Sequence, residues 1–472
     1  MSTMTSQGAL MPPGRPSPAP ADGPSAFFAR EGADPLRFAF DRKTGIHAGL
    51  GAGPVAPDAA EAHLAELLQT PRTGPTAAYF HIPFCSTRCT YCGFFSRFTQ
   101  GGDSALYTDA LIRELRATAG TPAVASGPVH AVYLGGGTPT DLEPPDLLRL
   151  LRAIRAELPL ANDCEITLEG RVHGMNEALL GAALEGGANR FSIGVQSFDT
   201  RGRRLVGRLD DRETVLETLA RLAAPDQASV VIDLVYGFPG QTVASWVEDV
   251  RTLERLPLDG VDLYQLNVLP HTTLARMIAE GRCEPAASLP EQAEMFSAGV
   301  DAMEAMAWSR LSVCHWRATS RERSLYNRLV KGGATILPYG CGAGGNLHGH
   351  GIMHTREFGR YLERVEAGRS PVAMMTRPSP LRVLAARIAD GCDLGRLEVA
   401  RLDAWAGEPV AARVQPLLDQ WTRCGLLELR DGWARLTRAG EFWQVNLAQG
   451  LVDACRALVP SPVSVPPKEF AS

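Results

Sequence analysis

The sequence predicts an α/β fold, a partial (β/α)6 barrel followed by a C-terminal, mostly helical, winged-helix-like domain. Three observations lead there. Between about residues 76 and 270, short apolar runs alternate with amphipathic helical stretches, the order in which parallel strands are joined by right-handed crossovers. Only six such units are present, short of the eight that close a full barrel. Late in the chain, helical stretches lead into ELRDGWARLTRAGEFW, which reads as a small β-wing.

The strand candidates are 77–82 (AAYFHI), 131–135 (AVYLG), 164–169 (CEITLE), 190–195 (RFSIGV), 230–235 (VVIDLV) and 262–268 (DLYQLNV), with helical patterns such as DALIRELRATA and PPDLLRLLRAIRAEL between them. In a barrel of this kind the site is expected at the C-terminal ends of the strands. Residues 1–35 are rich in Pro, Gly, Ala and Ser, and such a segment cannot bury enough apolar surface to offset its ordering entropy. The expected division is a disordered segment 1–35, an extension 36–75 packing on the barrel, the barrel at 76–310, a substrate-side cap at 311–375, the winged-helix-like domain at 376–458 and a disordered tail at 459–472.

The formal charge of −5 gives no basic footprint for nucleic acid, which also argues against a DNA-binding role for the winged-helix-like domain. No apolar stretch reaches the roughly 20 residues that a membrane helix needs. The N-terminus lacks the layout of a secretory signal. Of ten cysteines, seven are scattered and three fall within eight residues, a pattern of one metal or cluster site in a reducing compartment. The expected location is the cytoplasm.

Those three are Cys85, Cys89 and Cys92, in a C-x3-C-x2-C loop just after the first strand. Three thiolates on a four-iron cube leave one iron without a protein ligand. That iron can chelate the methionine part of S-adenosylmethionine (SAM), and an electron from the cluster then breaks the S–C5′ bond to give a deoxyadenosyl radical. A structural zinc site would bring a fourth Cys or His at paired spacing, and His81 sits before the loop, inside the strand. A redox C-x2-C pair would leave Cys85 unexplained.

At the end of the second strand, Gly135, Gly136 and Gly137 precede Thr138. Glycine runs usually mark turns, but at this place they suit a backbone approaching the SAM amino group. Glu169 and Asp233 end the third and fifth strands, where carboxylates would meet ribose hydroxyls or an ammonium unless they are caps or surface charges. Gln196, after the fourth strand, and Arg208, in RGRRLVGR, complete the candidate pocket. An arginine there can hold a carboxylate in a two-point fork.

At these residues YFHIPFCSTRCTYCGF, YLGGGTPT, GVQSFD…LVGR and IDLVYGFPGQT resemble the coproporphyrinogen III dehydrogenase-like radical SAM family, over roughly residues 76–450. The resemblance implies a [4Fe–4S] cluster and two SAM molecules side by side. It places Tyr79, Gly135–Gly137, Glu169, Arg208 and Asp233 around the cluster-bound SAM and Gln196 near the second. Phe84, Tyr91, Gly93 and Thr138 join the expected cofactor-binding set. The oxygen-independent coproporphyrinogen dehydrogenases carry a further cysteine where this chain has Phe94, and the haem chaperones carry H-N-x-x-Y-W where it reads ERSLYN (322–327). LEGR (168–171), HWRATSRERSLYN (315–327) and PYGCGAGG (338–345) are instead similar to the anaerobic haem-degrading methyltransferases of the ChuW/HutW type.

That branch implies an enzyme that adds a SAM-derived methyl or methylene carbon to haem, opens the porphyrin and releases iron. The alternatives are a haem chaperone and a coproporphyrinogen III dehydrogenase. Partners implied are haem, a low-potential donor such as a flavin or flavodoxin-like protein, and a haem carrier. For a substrate with two propionates, Arg317, Arg321 and Arg323 offer forks and Trp316 a stacking face. His315 would ligate iron or move a proton. The expected catalytic set is therefore Gln196, His315 and Arg317. Arg171 points to the barrel mouth, and His348, His350 and His354 form a second candidate group for haem or metal. The bland reading of both segments is a solvated polar face and loop histidines.

Overall fold

The computed structural model describes residues 23–44, 53–94 and 97–458. All six expected strands form: β1 (Thr76–Ile82), β2 (Val129–Gly136), β3 (Leu160–Arg171), β4 (Arg190–Gln196), β5 (Ser229–Tyr236) and β6 (Gly260–Gln265). Neighbours pair in parallel in chain order from β1 to β6. Their outer face packs under helices α1 (Asp103–Ala119), α2 (Pro144–Glu157), α3 (Glu177–Gly186), α4 (Arg212–Ala223), α5 (Val243–Thr252) and α6 (Leu289–Ala305). Burial on two faces explains the near-continuous apolar runs; every residue of β5 is buried. The helices start where the chemistry allows it: α2 has Pro144 at its first position, and Asn176 accepts from Leu179 N–H at 2.9 Å to cap α3.

The sheet does not stop at six strands. The stretch expected as a cap supplies β8 (His315–Arg317), β9 (Thr335–Tyr339), β10 (Gly344–Leu347), β11 (His350–His354) and β12 (Val372–Thr376), and β7 (Ser309–Arg310) lies just before it. The twelve strands run in the order β12-β11-β10-β9-β1-β2-β3-β4-β5-β6-β8-β7. β9 is parallel to β1, from Thr76↔Thr335 to Phe80↔Tyr339, so the barrel wall has a seventh parallel strand. The other additions are antiparallel and extend the two edges of an open barrel.

One further expectation changes. Residues 23–35 belong to the folded part: Trp421 Nε1–H donates to Phe27 O at 3.0 Å, and Ala29 exchanges two hydrogen bonds with the Gln420 amide. The rest of the expected disordered segment, 1–22, and the tail 459–472 lie outside the described residues. The wing is present, as an antiparallel hairpin of Leu427–Arg430 and Trp433–Leu436 with Arg396–Leu397 as a third strand. Its two-residue turn, Asp431-Gly432, has φ of 52° and 79°, the left-handed pair that lets a tight turn follow the strand twist.

Candidate active site

Alternation along the strands decides what faces the barrel interior. Tyr79 of β1, Tyr133 of β2, Glu169 of β3, Ser192 of β4 and Asp233 of β5 all belong to that inner set, and Tyr133, Tyr79 and Tyr326 pack there as a small aromatic cluster. Asp262 of β6 lies in register with Asp233, and Gly194 of β4 with Asp233 on the other side. The interior is thus polar and heavily charged under an aromatic floor.

The cysteine loop leaves β1 over this interior. Thr138 Oγ1–H donates to Cys85 Sγ at 3.3 Å, and Phe94 N–H to Cys92 Sγ at 3.3 Å. Arg171 Nη1–H donates to Thr87 O at 2.8 Å, so the end of β3 grips the loop as its position at the barrel mouth implies. From the turn that ends the short helix Thr200–Leu205, Val206 O accepts Thr90 N–H at 3.2 Å. Cys85 and Cys89 are buried and Cys92 is half-buried. Burial pushes the Cys85 thiol up to about 11, against the pull of Arg171. Among the described residues no three Cys, His, Asp or Glu side chains close on a single ion, whereas a cluster of four irons spreads its thiolates over separate metals.

The glycine loop is laid along the cysteine loop. Gly137 N–H donates to Ile82 O at 2.7 Å and Thr138 N–H to Phe84 O at 3.0 Å. A β-carbon on Gly137 would lie 2.5 Å from Phe84 O, and Gly136 has φ +113°, so no other residue type fits either place. Gly136 N–H donates to Glu169 at 3.2 Å. The Phe84 ring packs outward against Tyr107, so its contribution to the site is its carbonyl. Gly93 lets the loop close on Leu269, whose Cδ1 would be 2.5 Å from an added β-carbon.

Opposite, a methyl on Gly194 would meet Gln196 Nε2 at 2.7 Å and Arg208 Nη2 at 3.1 Å, so these two side chains converge over it. Arg208 donates to Tyr91 OH at 3.4 Å, while its buried Nε–H has no hydrogen-bond partner among the described residues. A buried orphan donor of this kind is costly unless a ligand meets it. Burial, then the neighbouring Asp262 and Glu169 charges, raise Asp233 to about 8. Three thiols, a glycine cradle, an unanswered guanidinium N–H and a pair of carboxylates fit a [4Fe–4S] cluster with a cationic, hydroxyl-bearing amino acid ligand such as SAM.

The expected substrate residues do not gather at this mouth. His315 is buried 2.8 Å from Asp262 Oδ1 and 3.0 Å from Glu322 Oε1, which leaves it no open position for haem iron. Trp316 faces the other way, under the Arg310 guanidinium at 5.0 Å. Arg317 pairs in register with Gly260, at the N-terminal end of β6. Arg323 is bound to Asp163 early in β3 at 2.9 Å, and Arg321 to Asp226 and Ala228 O before β5. Arg317, Arg321 and Arg323 lie toward the opposite end of the strands from the cysteines, whereas His315 pairs with Asp262, in register with Asp233.

The histidine group is also dispersed. His348 reaches Thr70 O at 3.1 Å, His350 meets His63 edge to face at 4.8 Å, and buried His354 binds Gly340 O at 3.1 Å. Burial holds His354 down at about 4.

Sequence reasoning missed the charges beneath the site. Arg190 makes a two-point fork to Glu322, Nε–Oε2 at 2.9 Å and Nη2–Oε1 at 3.1 Å, with both side chains buried. Ser229 Oγ–H adds a 3.0 Å bond to the same carboxylate. His81 pairs with Tyr79 OH at 2.9 Å, and burial holds it down at about 4. The available signal was charge at inward positions of otherwise apolar strands, as in RFSIGV and DLYQ.

Fold and site together define a radical SAM enzyme. The radical SAM superfamily profile matches residues 79–253. The chain is 39% identical over 433 residues to anaerobilin synthase of Escherichia coli O157:H7, covering 91% of this chain and 95% of that protein. It is 30% identical to the haem chaperone HemW of Lactococcus lactis, over 61% of this chain and 74% of that one. The structure of E. coli coproporphyrinogen III oxidase (HemN), a radical SAM enzyme, superposes with a TM-score of 0.72 at 22% identity, covering 84% of this chain and 94% of that chain. This chain belongs to the radical SAM superfamily and, within it, to the HemN-like family that contains anaerobilin synthase. No helix among the described residues is long and apolar enough to cross a membrane.

Proposed function

We propose that this chain degrades haem without oxygen, as a radical SAM C-methyltransferase that adds a SAM-derived carbon to the porphyrin, opens the ring and releases iron. The end-to-end likeness to anaerobilin synthase carries this reading. The cluster and SAM, when bound, supply a low-potential electron and a carbon-centred radical.

The chain's own residues do the rest. Cys85, Cys89 and Cys92 would hold the cluster, with Thr138 and the Phe94 amide donating to two of the sulfurs. Gly135–Gly137, Glu169 and Asp233 would take the amino and ribose ends of SAM, and the unpartnered Arg208 Nε–H its carboxylate. Gln196 would lie by a second SAM. Tyr91, Phe238, Val206 and Leu274 pack with Cys89 in one buried cluster that keeps water from this side of the loop. In this reading His315 is a buried charge beneath the pocket rather than an iron ligand. Residues 376–458 act as a separate winged-helix-like unit docked on the barrel. A flavin or flavodoxin-like donor and a haem carrier complete the reading.

The test is anaerobic incubation of reconstituted protein with SAM, reductant and either haem or coproporphyrinogen III, followed by mass spectrometry. A methylated, iron-free linear tetrapyrrole is the expected product. Haem that stays bound and unchanged would select the chaperone reading, and two-fold decarboxylation the coproporphyrinogen dehydrogenase.

A further inference from the structure

Gln196 closes β4 with φ +75°, where a β-carbon crowds the neighbouring carbonyl and a non-glycine residue persists only if its surroundings over-determine it. The pairing with β5 shifts register at the same point, between Gly194 and Gln196. What holds the turn is Arg203, on the short helix Thr200–Leu205. Its side chain is 1% exposed. Nη1–H donates to Val195 O at 2.6 Å and to Ser197 O at 3.1 Å, the carbonyls on either side of Gln196. Nε–H donates to Asp210 O at 2.7 Å, and the Arg203 carbonyl accepts Arg208 N–H at 2.8 Å.

One buried guanidinium therefore joins both peptides flanking Gln196 to the 208–210 loop. From α5, Asp249 completes the clamp by accepting Ser197 Oγ–H at 2.6 Å and Phe198 N–H at 2.8 Å. Burying a guanidinium whose nearest carboxylate oxygen, on Asp210, is 4.0 Å away is expensive. An apolar side chain would fill the same space without that cost but could not hold two carbonyls. The outcome of the clamp is visible at Gly194, over which the Gln196 amide and the Arg208 guanidinium meet.

We propose that Arg203 is a positioning residue of the SAM-binding face, fixing Gln196 in its left-handed turn opposite Arg208. The proposal rests on the reading of Gln196 and Arg208 as SAM-binding residues. It makes the affinity for SAM depend on a side chain that touches no ligand.

The experiment is a double-mutant cycle on cluster-reconstituted protein without reductant, with SAM dissociation constants from equilibrium dialysis. Lysine keeps the charge but cannot fork across two carbonyls. Arg203→Lys is expected to weaken SAM binding about tenfold, the scale on which outer partners tune a bound group, with iron content unchanged. Because Arg203 acts through Gln196, Arg203→Lys combined with Gln196→Ala should bind within about twofold of Gln196→Ala alone, the margin of additivity measurements. Wild-type affinity in Arg203→Lys, or fully additive losses, would overturn the proposal. Should Arg203→Lys not fold, Arg203→Gln, which keeps one amide donor, enters the same cycle. Wild-type protein that binds no SAM would overturn the underlying functional reading, a result distinct from an additive cycle.

Discussion

The imidazole of His315 and the carboxylate of Asp262 face each other across neighbouring strands inside the barrel, Nδ1 to Oδ1 at 2.8 Å. Glu322 takes the other ring nitrogen and is itself forked by Arg190. Asp262 lies in register with Asp233, so the group adjoins the carboxylates that the site turns toward its ligands. Its two cations, Arg190 and protonated His315, are matched by two buried carboxylates.

This network sets a pH dependence. Burial alone would lower the His315 pKa, but Asp262 and Glu322 outweigh it and raise it to about 9 from 6.5. A histidine whose folded pKa is raised stabilises the fold fully below its unfolded pKa, and that stabilisation is lost as pH rises through about 9. Asp233, raised to about 8 from 3.8, binds its proton more tightly when folded, so it too costs stability as pH climbs between those values. Thermal melts of metal-free protein should fall steadily from pH 6.5 to 9. A flat or rising melting temperature over that window would contradict the assignment. His315→Gln should remove the His315 share of this slope and destabilise the protein by about 3 kcal/mol, by leaving buried carboxylates unneutralised.

Gly137→Ala is expected to damage SAM handling without removing the metal ligands. The added carbon would sit 2.5 Å from Phe84 O and 2.9 Å from Ile82 O, both backbone atoms that carry the cysteine loop. Neither can swing aside as a side chain would. A displacement near 1 Å at a reacting centre costs about a hundredfold. Deoxyadenosine release, followed by chromatography, should fall on that scale while iron and sulfide contents stay near wild type.

How much of this was legible in the sequence varies from strand to strand for a physical reason. The central residues of β1 to β6 are buried on both faces, so each leaves an apolar run. β9 does not announce itself: its five residues, TILPY, include Pro338, and proline argues against a ladder position. On its outer flank only Ile336 has a strand partner, which leaves room for a residue without an N–H. The cysteine loop and glycine cradle were readable because their spacing is local. The Arg190–Glu322 fork joins residues 132 apart, and no local pattern reports such a pairing. The composition of HWRATSRER suits an anion site equally well whichever end of the barrel it occupies, so it does not report which end that is.

Cys89→Ala separates the cluster from the fold. Cys89 is buried among Tyr91, Val206, Leu274 and Phe238, and replacing a small buried side chain by alanine costs little packing. The variant should fold, bind less iron and sulfide than wild type, and release no deoxyadenosine under reducing conditions. Full cluster content with undiminished SAM cleavage would remove Cys89 from the ligand set.

The last expectation reverses what the sequence suggested for the arginines after His315. Arg321 is tied to Asp226 and the Ala228 carbonyl, and Arg323 to Asp163. Both contacts lie at the N-terminal ends of strands, away from the cysteine loop. Arg323 pairs with a largely exposed acid, an arrangement worth about 0–1 kcal/mol, while Arg321 also lies 3.8 Å from the buried Asp259. Arg323→Ala should therefore shift stability by no more than that, Arg321→Ala by somewhat more, and both should leave kcat/KM for haem within about twofold of wild type, less than the 1.4 kcal/mol of a tenfold effect. A propionate held by either residue would instead raise KM by tenfold or more, since a charge-assisted hydrogen bond contributes about 1.5–3 kcal/mol. Steady-state kinetics on the two variants decides between a substrate fork and a surface ion pair.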